Sequence, residues 1–262
     1  MKHAQEIISK ENSIYRMIKG LKQKKMREST QLYLLEGSRL VEEAISRGAK
    51  IKYVLMDETI ESELKLIQNY QTLRLANQLF KGISDTVHSQ GIIAVVEKEE
   101  IQLEGLVLDE NPLIVVLDGI QDPGNLGTMI RTSAAAKATA VLLTKGTVDL
   151  FNPKVIRSTM GSVFQIPIVR NIDDEAMIQW LNDHSINILV ADLESKEYYF
   201  SINLKAPFAL VIGNENKGPK EIWKNSALKI IKIPILGSTE SLNASVAAGI
   251  ILFDAVRQRL TH

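Results

Sequence analysis

The sequence predicts an α/β protein whose larger, C-terminal part carries a mainly parallel sheet, preceded by a smaller α/β unit. Three observations predict it. From Pro112 onward six apolar runs recur, "LIVVLD", "AVLL", "IPIV", "INILVADL", "FALVIG" and "IIKIPI", and they read as strands apolar on both faces. Helical stretches separate most of these runs, which is the pattern of a parallel sheet covered on both sides. Before them, "KEEIQLEGLVLDENP" is charged and poorly periodic, the composition of a linker. The expected boundaries are a first domain over 1–98, a linker over 99–111 and a second domain over 112–262.

The elements follow in order. Residues 12–27 predict one basic helix. "QLYLLEGSRLVEEAISRG" is a short apolar strand, then a helix from about Ser38 that stops at Gly48. "IKYVLMD" is a strand, "ESELKLIQNY" (61–70) a helix and "GIIAVVE" (91–97) a strand. After the linker come the six apolar strands, and the chain finishes in "LNASVAAGIILFDAVRQRL", alanine-rich and helical.

Bulk composition excludes several kinds of chemistry. With 262 residues, 45% of them hydrophobic and 24% charged, the chain can build a sizeable core. Cysteine is absent, so disulfides, thiolate catalysis and cysteine-held metals are ruled out. His3, His88, His184 and His262 lie far apart in sequence, which argues against a histidine metal site. No apolar run has the length of a signal peptide or membrane span, so the expectation is a soluble cytoplasmic protein with no membrane and no metal. Net charge is zero, yet residues 1–30 hold eight Lys/Arg against three Asp/Glu. Lys22, Lys24, Lys25 and Arg27 lie in the acid-free stretch "KGLKQKKMR". Such a patch is either a polyanion-binding end or a solvated helix face.

Ligands of a parallel sheet bind beyond the carboxyl ends of its strands. Three junctions there are unusually polar: "DGIQDPGNLGTMIRTS", "VIGNENKGP" and "IPILGSTESLNASVA". The first has neither the dinucleotide-binding glycine fingerprint nor the phosphate-loop G-K-[ST] ending. Gly124 and Gly127 would let backbone N–H groups face a ligand at a helix start. Asn125 reads as a helix N-cap or a ligand contact. Arg131, in the small and apolar "GTMIRTSAAA", must find an anion, pair internally or emerge at an edge. In the second junction Gly213 would permit close approach of a ligand, and Glu215 could accept from an amine or ribose or pair with Arg131. In the third, Ser241 and Asn243 stand at a helix start, where capping accounts for one of them. A glycine-lined pocket beside an arginine suits a nucleotide-like ligand, and the reaction class stays open at this point.

All three junctions resemble, in order, the motifs of the SpoU or TrmH-like RNA ribose 2′-O-methyltransferases of the SPOUT superfamily. The family pattern N/D-P-x-N-x-G-x-x-x-R-T-A is matched by "DPGNLGTMIRTS", G-S/N-E-x-x-G by "GNENKG", and I-P-M-x-G-x-x-x-S-L-N-V-S-V-A by "IPILGSTESLNASVA". Ile235 and Ala244 replace the usual methionine and valine, and serine replaces the last alanine of the first pattern. "NPKVIRSTMGSVFQIP" is similar to the family's K-x-x-R-x-S-x-G stretch. Two N-terminal stretches, "NSIYRMIKGLKQKKMRESTQLYLLEGSRLVEEA" and "ISDTVHSQGIIAVV", resemble the L30e-like substrate-binding domain that precedes many of these catalytic domains.

The resemblance implies a C-terminal α/β fold with a deep trefoil knot and methyl transfer from S-adenosylmethionine to a ribose 2′-hydroxyl of structured RNA. It implies cofactor contacts at Gly213, Ile233 and Leu242, largely through backbone groups, with Thr144 and Asn214 nearby. It implies a homodimer with its active site at the interface, and it points to Arg131 as the group acting on the 2′-hydroxyl. Free arginine, with a pKa above roughly 12, is a poor base. Arg131 therefore either stabilises the forming alkoxide and binds phosphate, or has its proton affinity lowered locally. Asn125 would orient substrate and Arg131; Glu215 would hold Arg131 or the cofactor end; Ser241 and Asn243 would fix the third loop; Arg157 would meet RNA phosphate or be an ordinary surface arginine. Ribosomal RNA, specifically 23S, is the favoured target and transfer RNA the alternative. A non-catalytic RNA-binding protein of the same fold is a further reading, opposed by the intact motif residues. A Rossmann-type nucleotide enzyme is opposed by the missing fingerprint.

Overall fold

The computed structural model describes residues 5–60 and 67–261. In chain order its elements are β1 (Gln5–Ile7), α1 (Ser13–Gly20), α2 (Lys24–Thr30), β2 (Leu32–Glu36), α3 (Ser38–Ser46), β3 (Ile51–Asp57), β4 (Thr72–Leu75), α4 (Asn77–Ile83) and β5 (Ile92–Glu97). Then come β6 (Leu113–Leu117), α5 (Pro123–Ala135), β7 (Ala140–Thr144), α6 (Pro153–Thr159), β8 (Ile168–Ile172), α7 (Asp174–Asp183) and β9 (Asn187–Ala191). The last are β10 (Glu197–Tyr198), β11 (Phe208–Ile212), α8 (Glu221–Ser226), β12 (Lys229–Lys232) and α9 (Ala244–Leu260). They form two compact units, Met1–Glu99 with Asp149–Phe164, and Glu100–Val148 with Gln165–His262.

The first unit carries a mixed sheet in the order β1-β4-β3-β5-β2. β4 lies parallel to β1 and β3, and β5 runs antiparallel to β3 and β2. Its core joins Leu32, Leu34, Leu55, Leu73, Ile93 and Val95 of the strands to Tyr15, Ile18 and Phe80 of the helices. The Asn12 side chain starts α1 by accepting from the N–H groups of Ile14 and Tyr15. β1, β4 and α4 are not foreseen in the sequence. Residues 61–66 of the helix expected over 61–70 lie outside the described residues.

The single helix expected over 12–27 is two helices, broken at Leu21–Gln23. Arg27 holds the break together. One guanidinium nitrogen donates to the Leu21 and Lys22 carbonyls, both at 2.8 Å, where helix ends leave acceptors unmet. The other two donate to the Asp149 carboxylate at 2.6 and 2.9 Å. Arg27 is 2% exposed, which corrects the expectation that it faces RNA. Its charge is spent on internal acceptors.

Two stretches fall differently from the expected domains. Residues 149–164 pack with the first unit: Phe151 sits 4.6 Å from the Tyr33 ring, and α6 buries Val155, Ile156 and Thr159. The expected linker packs into the second unit, with Leu103 buried in its core, Leu106 and Leu108 against it, and Ile101 bridging Val169.

The second unit holds a seven-stranded sheet in the order β10-β12-β9-β11-β6-β7-β8, with parallel pairing throughout. All six strands foreseen from the apolar runs are present. Side chains alternate between faces along each strand. Ile114, Val116, Leu142, Val190 and Val211 meet Met177, Trp180 and Leu181 of α7 and Trp223 of α8. α5 packs on β7 and, along much of its length, on α9. The register pairs Ile212 with Leu117 and Leu117 with Leu143, so β11, β6 and β7 finish level with one another. The strand order reverses between β6 and β11, the place where such sheets hold ligands. No described helix is long and apolar enough to cross a membrane.

Removing one member of a buried ion pair leaves the other uncompensated. Arg27→Met is expected to destabilise the protein by about 3–5 kcal/mol, whereas Arg27→Met with Asp149→Leu recovers most of that. Urea unfolding of the three proteins checks this; a single variant as stable as the native chain would remove the pair's structural role.

Candidate functional site at the carboxyl ends of β6, β11 and β12

The first loop enters α5 through Asp122, whose carboxylate accepts from the Asn125 N–H at 2.8 Å. Pro123 follows at the first helical position, where its missing N–H costs nothing. Asp122 is therefore the N-cap, and this corrects the capping role considered for Asn125. The side chain of Asn125 is released for other work, and the Asp-Pro dipeptide is the sequence signal that identifies the true cap.

Glu215 joins the second loop to the first. Its carboxylate accepts from the backbone N–H groups of Gln121 and Asp122 and from Asn125 Nδ2, each at 3.1 Å. Burial alone would raise its pKa. The bonds from Asn125, Gln121, its own N–H and Asp122 outweigh that and hold it below the ordinary value of 4.5. The carboxylate accepts only, so Asn125 must turn its NH₂ toward Glu215 and its carbonyl away. That carbonyl accepts from Asn243 Nδ2 at 2.9 Å. Asn243 Oδ1 in turn accepts from the N–H and hydroxyl of Ser245 at 2.9 and 2.6 Å, capping α9. One relay, Glu215–Asn125–Asn243, thus ties three loops that are distant in sequence.

Arg131 is exposed on α5, so of the alternatives open to it from sequence the side chain takes the one in which it emerges at an edge. Among the described residues no carboxylate pairs with it, and Glu215 is committed to the first loop. The internal ion pair considered from sequence is not formed.

Asn214 donates to the Gly119 carbonyl at 2.8 Å and accepts at its Oδ1 from Asn216 and Lys217 N–H, both at 3.0 Å. Gly213 is required by its own chain: a Cβ there would stand 2.0 Å from the Pro219 nitrogen. Gly127 is buried within α5 and lines no ligand surface there. Thr144 is buried, its hydroxyl donating to Asp118 and accepting from Gly119 N–H, both at 3.0 Å. Its single proton is committed to Asp118, so the hydroxyl does not also donate to a ligand while these bonds stand.

In the third loop Ile233, Ile235 and Leu242 are half-buried, and Ser241 is exposed. Among the described residues, 235–241 make no backbone-to-backbone hydrogen bond. Main-chain donors and acceptors without backbone partners, beside apolar side chains, fit an adenine, which offers both kinds of partner on its edge and a flat apolar face. Among the described residues no group of three or more acidic or histidine side chains is arranged for a metal.

The other expected RNA contacts lie in the first unit. Lys22 is engaged by Asp85 and the Ser84 carbonyl, each at 2.9 Å. Lys24 and Lys25 are exposed, and Lys24 lies 3.7 Å from Glu28. Arg157 is one-third exposed, with Nη1 buried 3.9 Å from Glu36 and making no hydrogen bond. Sequence reasoning missed Asp118, Gln121 and Lys220, none of which belongs to the recognised patterns.

Ligand loops at the reversal point of a parallel sheet, joined by an amide–carboxylate relay, are the build of an α/β enzyme that takes a nucleotide-like ligand. Comparison with known proteins makes the class specific: the chain belongs to the SpoU rRNA methylase family, which matches residues 112–253, and an MRM3-like substrate binding domain matches residues 12–94. It is 34% identical over 248 residues to the 23S rRNA (guanosine(2553)-2'-O)-methyltransferase RlmP of Bacillus subtilis, covering 95% of this chain and 98% of that one. It is 29% identical to the mitochondrial rRNA methyltransferase 3 of Mus musculus, over 91% of this chain and 70% of that one. The AdoMet-bound rRNA methyltransferase of Sinorhizobium meliloti superposes with a TM-score of 0.90 at 32% identity, covering 98% and 99% of the two chains.

Glu215 has a pKa lowered on folding, so its stabilisation is present above 4.5 and disappears as pH falls through the folded value below that. The stability gap between the native protein and Glu215→Gln should be constant from about pH 7 to about pH 5 and close at lower pH. Thermal melts across that range check it; a gap that widens with acid would contradict the assignment.

Proposed function

We propose that this protein transfers a methyl group from S-adenosylmethionine to a ribose 2′-hydroxyl of 23S ribosomal RNA. The observation that carries this reading is the Glu215–Asn125–Asn243 relay, which assembles the family's three motifs beside an arginine with no acid partner among the described residues. The names of the relatives, several of them 23S ribosomal RNA 2′-O-methyltransferases, support the substrate. Work on ribosomal RNA goes with a cytoplasmic location.

S-adenosylmethionine supplies a methyl on a sulfonium. This chain's residues bind, align and neutralise. The main-chain groups of 235–241, which make no backbone-to-backbone hydrogen bond among the described residues, receive the adenosyl part with Ile233 and Leu242, while Gly213 and Asn214 shape the adjoining loop. Asn125 and Asn243 are held by the relay so that they orient the ribose. Glu215 sets that geometry through Asn125 and the Gln121 and Asp122 N–H groups. Ser241 presents a hydroxyl that has no partner among the described residues. Arg131 offers its guanidinium to the 2′-oxygen and the adjoining phosphate, stabilising the charge that grows as the O–H proton passes to solvent and the O–CH₃ bond would form in place of the S–CH₃ bond.

The active protein is a homodimer in this reading, and the second unit is knotted as in its family. Val246, Ile250 and Phe253 recur along one side of α9, and Val246 and Phe253 are about half exposed, an apolar stripe suited to a second copy. Sedimentation velocity decides this part: a monomer at assay concentration would remove it.

Labelled S-adenosylmethionine and 23S RNA from a strain lacking the gene should place label on a ribose 2′-oxygen. No transfer under binding conditions would sink the proposal. Arg131→Ala is expected to lower kcat by roughly 10²-fold or more while leaving cofactor affinity within about threefold. Equal loss of both would mean its role is misplaced. Charge reversal at Lys24 and Lys25 should weaken RNA binding and flatten its dependence on salt. An unchanged slope would make these lysines a solvated surface.

A further inference from the structure

Asp118 lies one residue beyond β6 and is 1% exposed. A carboxylate at that depth is tolerated only where charge and hydrogen bonds meet it. Its Oδ1 receives the Lys220 ammonium at 2.8 Å and the Thr144 hydroxyl at 3.0 Å. Its Oδ2 receives the Lys220 N–H at 2.8 Å. Its own N–H donates to the Ile212 carbonyl at 2.9 Å, the last residue of β11. The contacts continue outward. Thr144 accepts from Gly119 N–H, and the Gly119 carbonyl accepts from Asn214. Lys220 also reaches Asp174 at 2.7 Å, at the start of α7, and Trp223 Nε1 donates to the same carboxylate at 3.3 Å. Burial opposes the charge of Lys220, but the two carboxylates more than offset it and raise its pKa.

This cluster has no member in common with the Glu215–Asn125–Asn243 relay. It lies at the level where β6, β7 and β11 finish together, and it touches the loop leaving each. A buried ion pair is poor evidence for stability, because apolar residues of similar volume often do as well. What apolar packing lacks is direction. Charge-assisted bonds to a backbone N–H and a hydroxyl fix three loops at set separations.

We propose that Asp118, locked by Lys220 and acting through Thr144 and Gly119, is a positioning residue for S-adenosylmethionine, holding the loops after β6, β7 and β11 in the arrangement the cofactor requires. The proposal rests on the methyltransferase reading above. It assigns Thr144 an indirect part, through its hydroxyl, in place of a direct ligand contact.

Calorimetric titration of the full-length native protein with S-adenosylmethionine comes first. Failure to bind there removes the methyltransferase reading, and this inference with it. Given native binding, Asp118→Asn and Lys220→Gln should each raise the cofactor Kd by roughly tenfold or more, the loss expected for a charge-assisted bond. The double variant should be little worse than either single one, since the two residues act as one unit. The KM for S-adenosylmethionine should rise while kcat at saturation and the Kd for RNA stay within about twofold. An unchanged cofactor Kd in folded Asp118→Asn would overturn the inference. So would a parallel decline of melting temperature, RNA affinity and cofactor affinity, which marks a merely structural pair. Should Asp118→Asn fail to fold, Thr144→Val keeps the ion pair and removes only the hydroxyl link. A several-fold rise in cofactor Kd is then expected, and native affinity in that variant would overturn the inference equally.

Discussion

The candidate site depends on one carboxylate that can only accept. Glu215 receives two backbone N–H groups of the first loop and the amide of Asn125. Because a carboxylate has no proton to give at neutral pH, it dictates which way the Asn125 amide faces. That in turn dictates which edge Asn243 must present. Three side chains separated by up to 118 positions in sequence therefore have fixed orientations before any ligand arrives. Such pre-arrangement is what alignment-driven transfer needs, since a reactant held in place avoids an entropic cost at the barrier.

The surroundings of this relay divide the labour between charge and main chain. Acids and amides fasten the loops to one another, while the third loop leaves its backbone groups from 235 to 241 without partners among themselves. Arg131 stands apart from the fastening. A guanidinium with no acid partner among the described residues is available to an external anion, and RNA supplies one at every nucleotide.

Much of the fold was legible in the sequence because burial on both faces leaves a plain signal. All six long apolar runs after Pro112 are strands, and the alanine-rich finish is α9. Short or half-exposed elements gave no such signal: β1 has three residues and β10 two. Charged side chains were harder. Arg131, among apolar neighbours in sequence, emerges into solvent, whereas Arg27, within a basic run, is buried against Asp149. Sequence neighbours set local composition; the partner that decides burial lies far along the chain. The motif residues Asn125, Glu215 and Asn243 were found by their pattern. Asp118 and Lys220 were not, because a buried acid at a strand end looks like any loop aspartate until its partners are seen.

The packing of Asp149–Phe164 into the first unit also orders events in time. As the chain is made, the helices and strands of residues up to 99 can collapse early, but Arg27 waits for Asp149, 122 positions later. Until then a cation in the break between α1 and α2 has two carbonyls and no counter-charge. The first unit is completed only after β6, α5 and β7 of the second have been synthesised, so the two units mature interleaved rather than one after the other. A cut at residue 99 would strand 149–164, a piece of the first unit, on the fragment that carries the second.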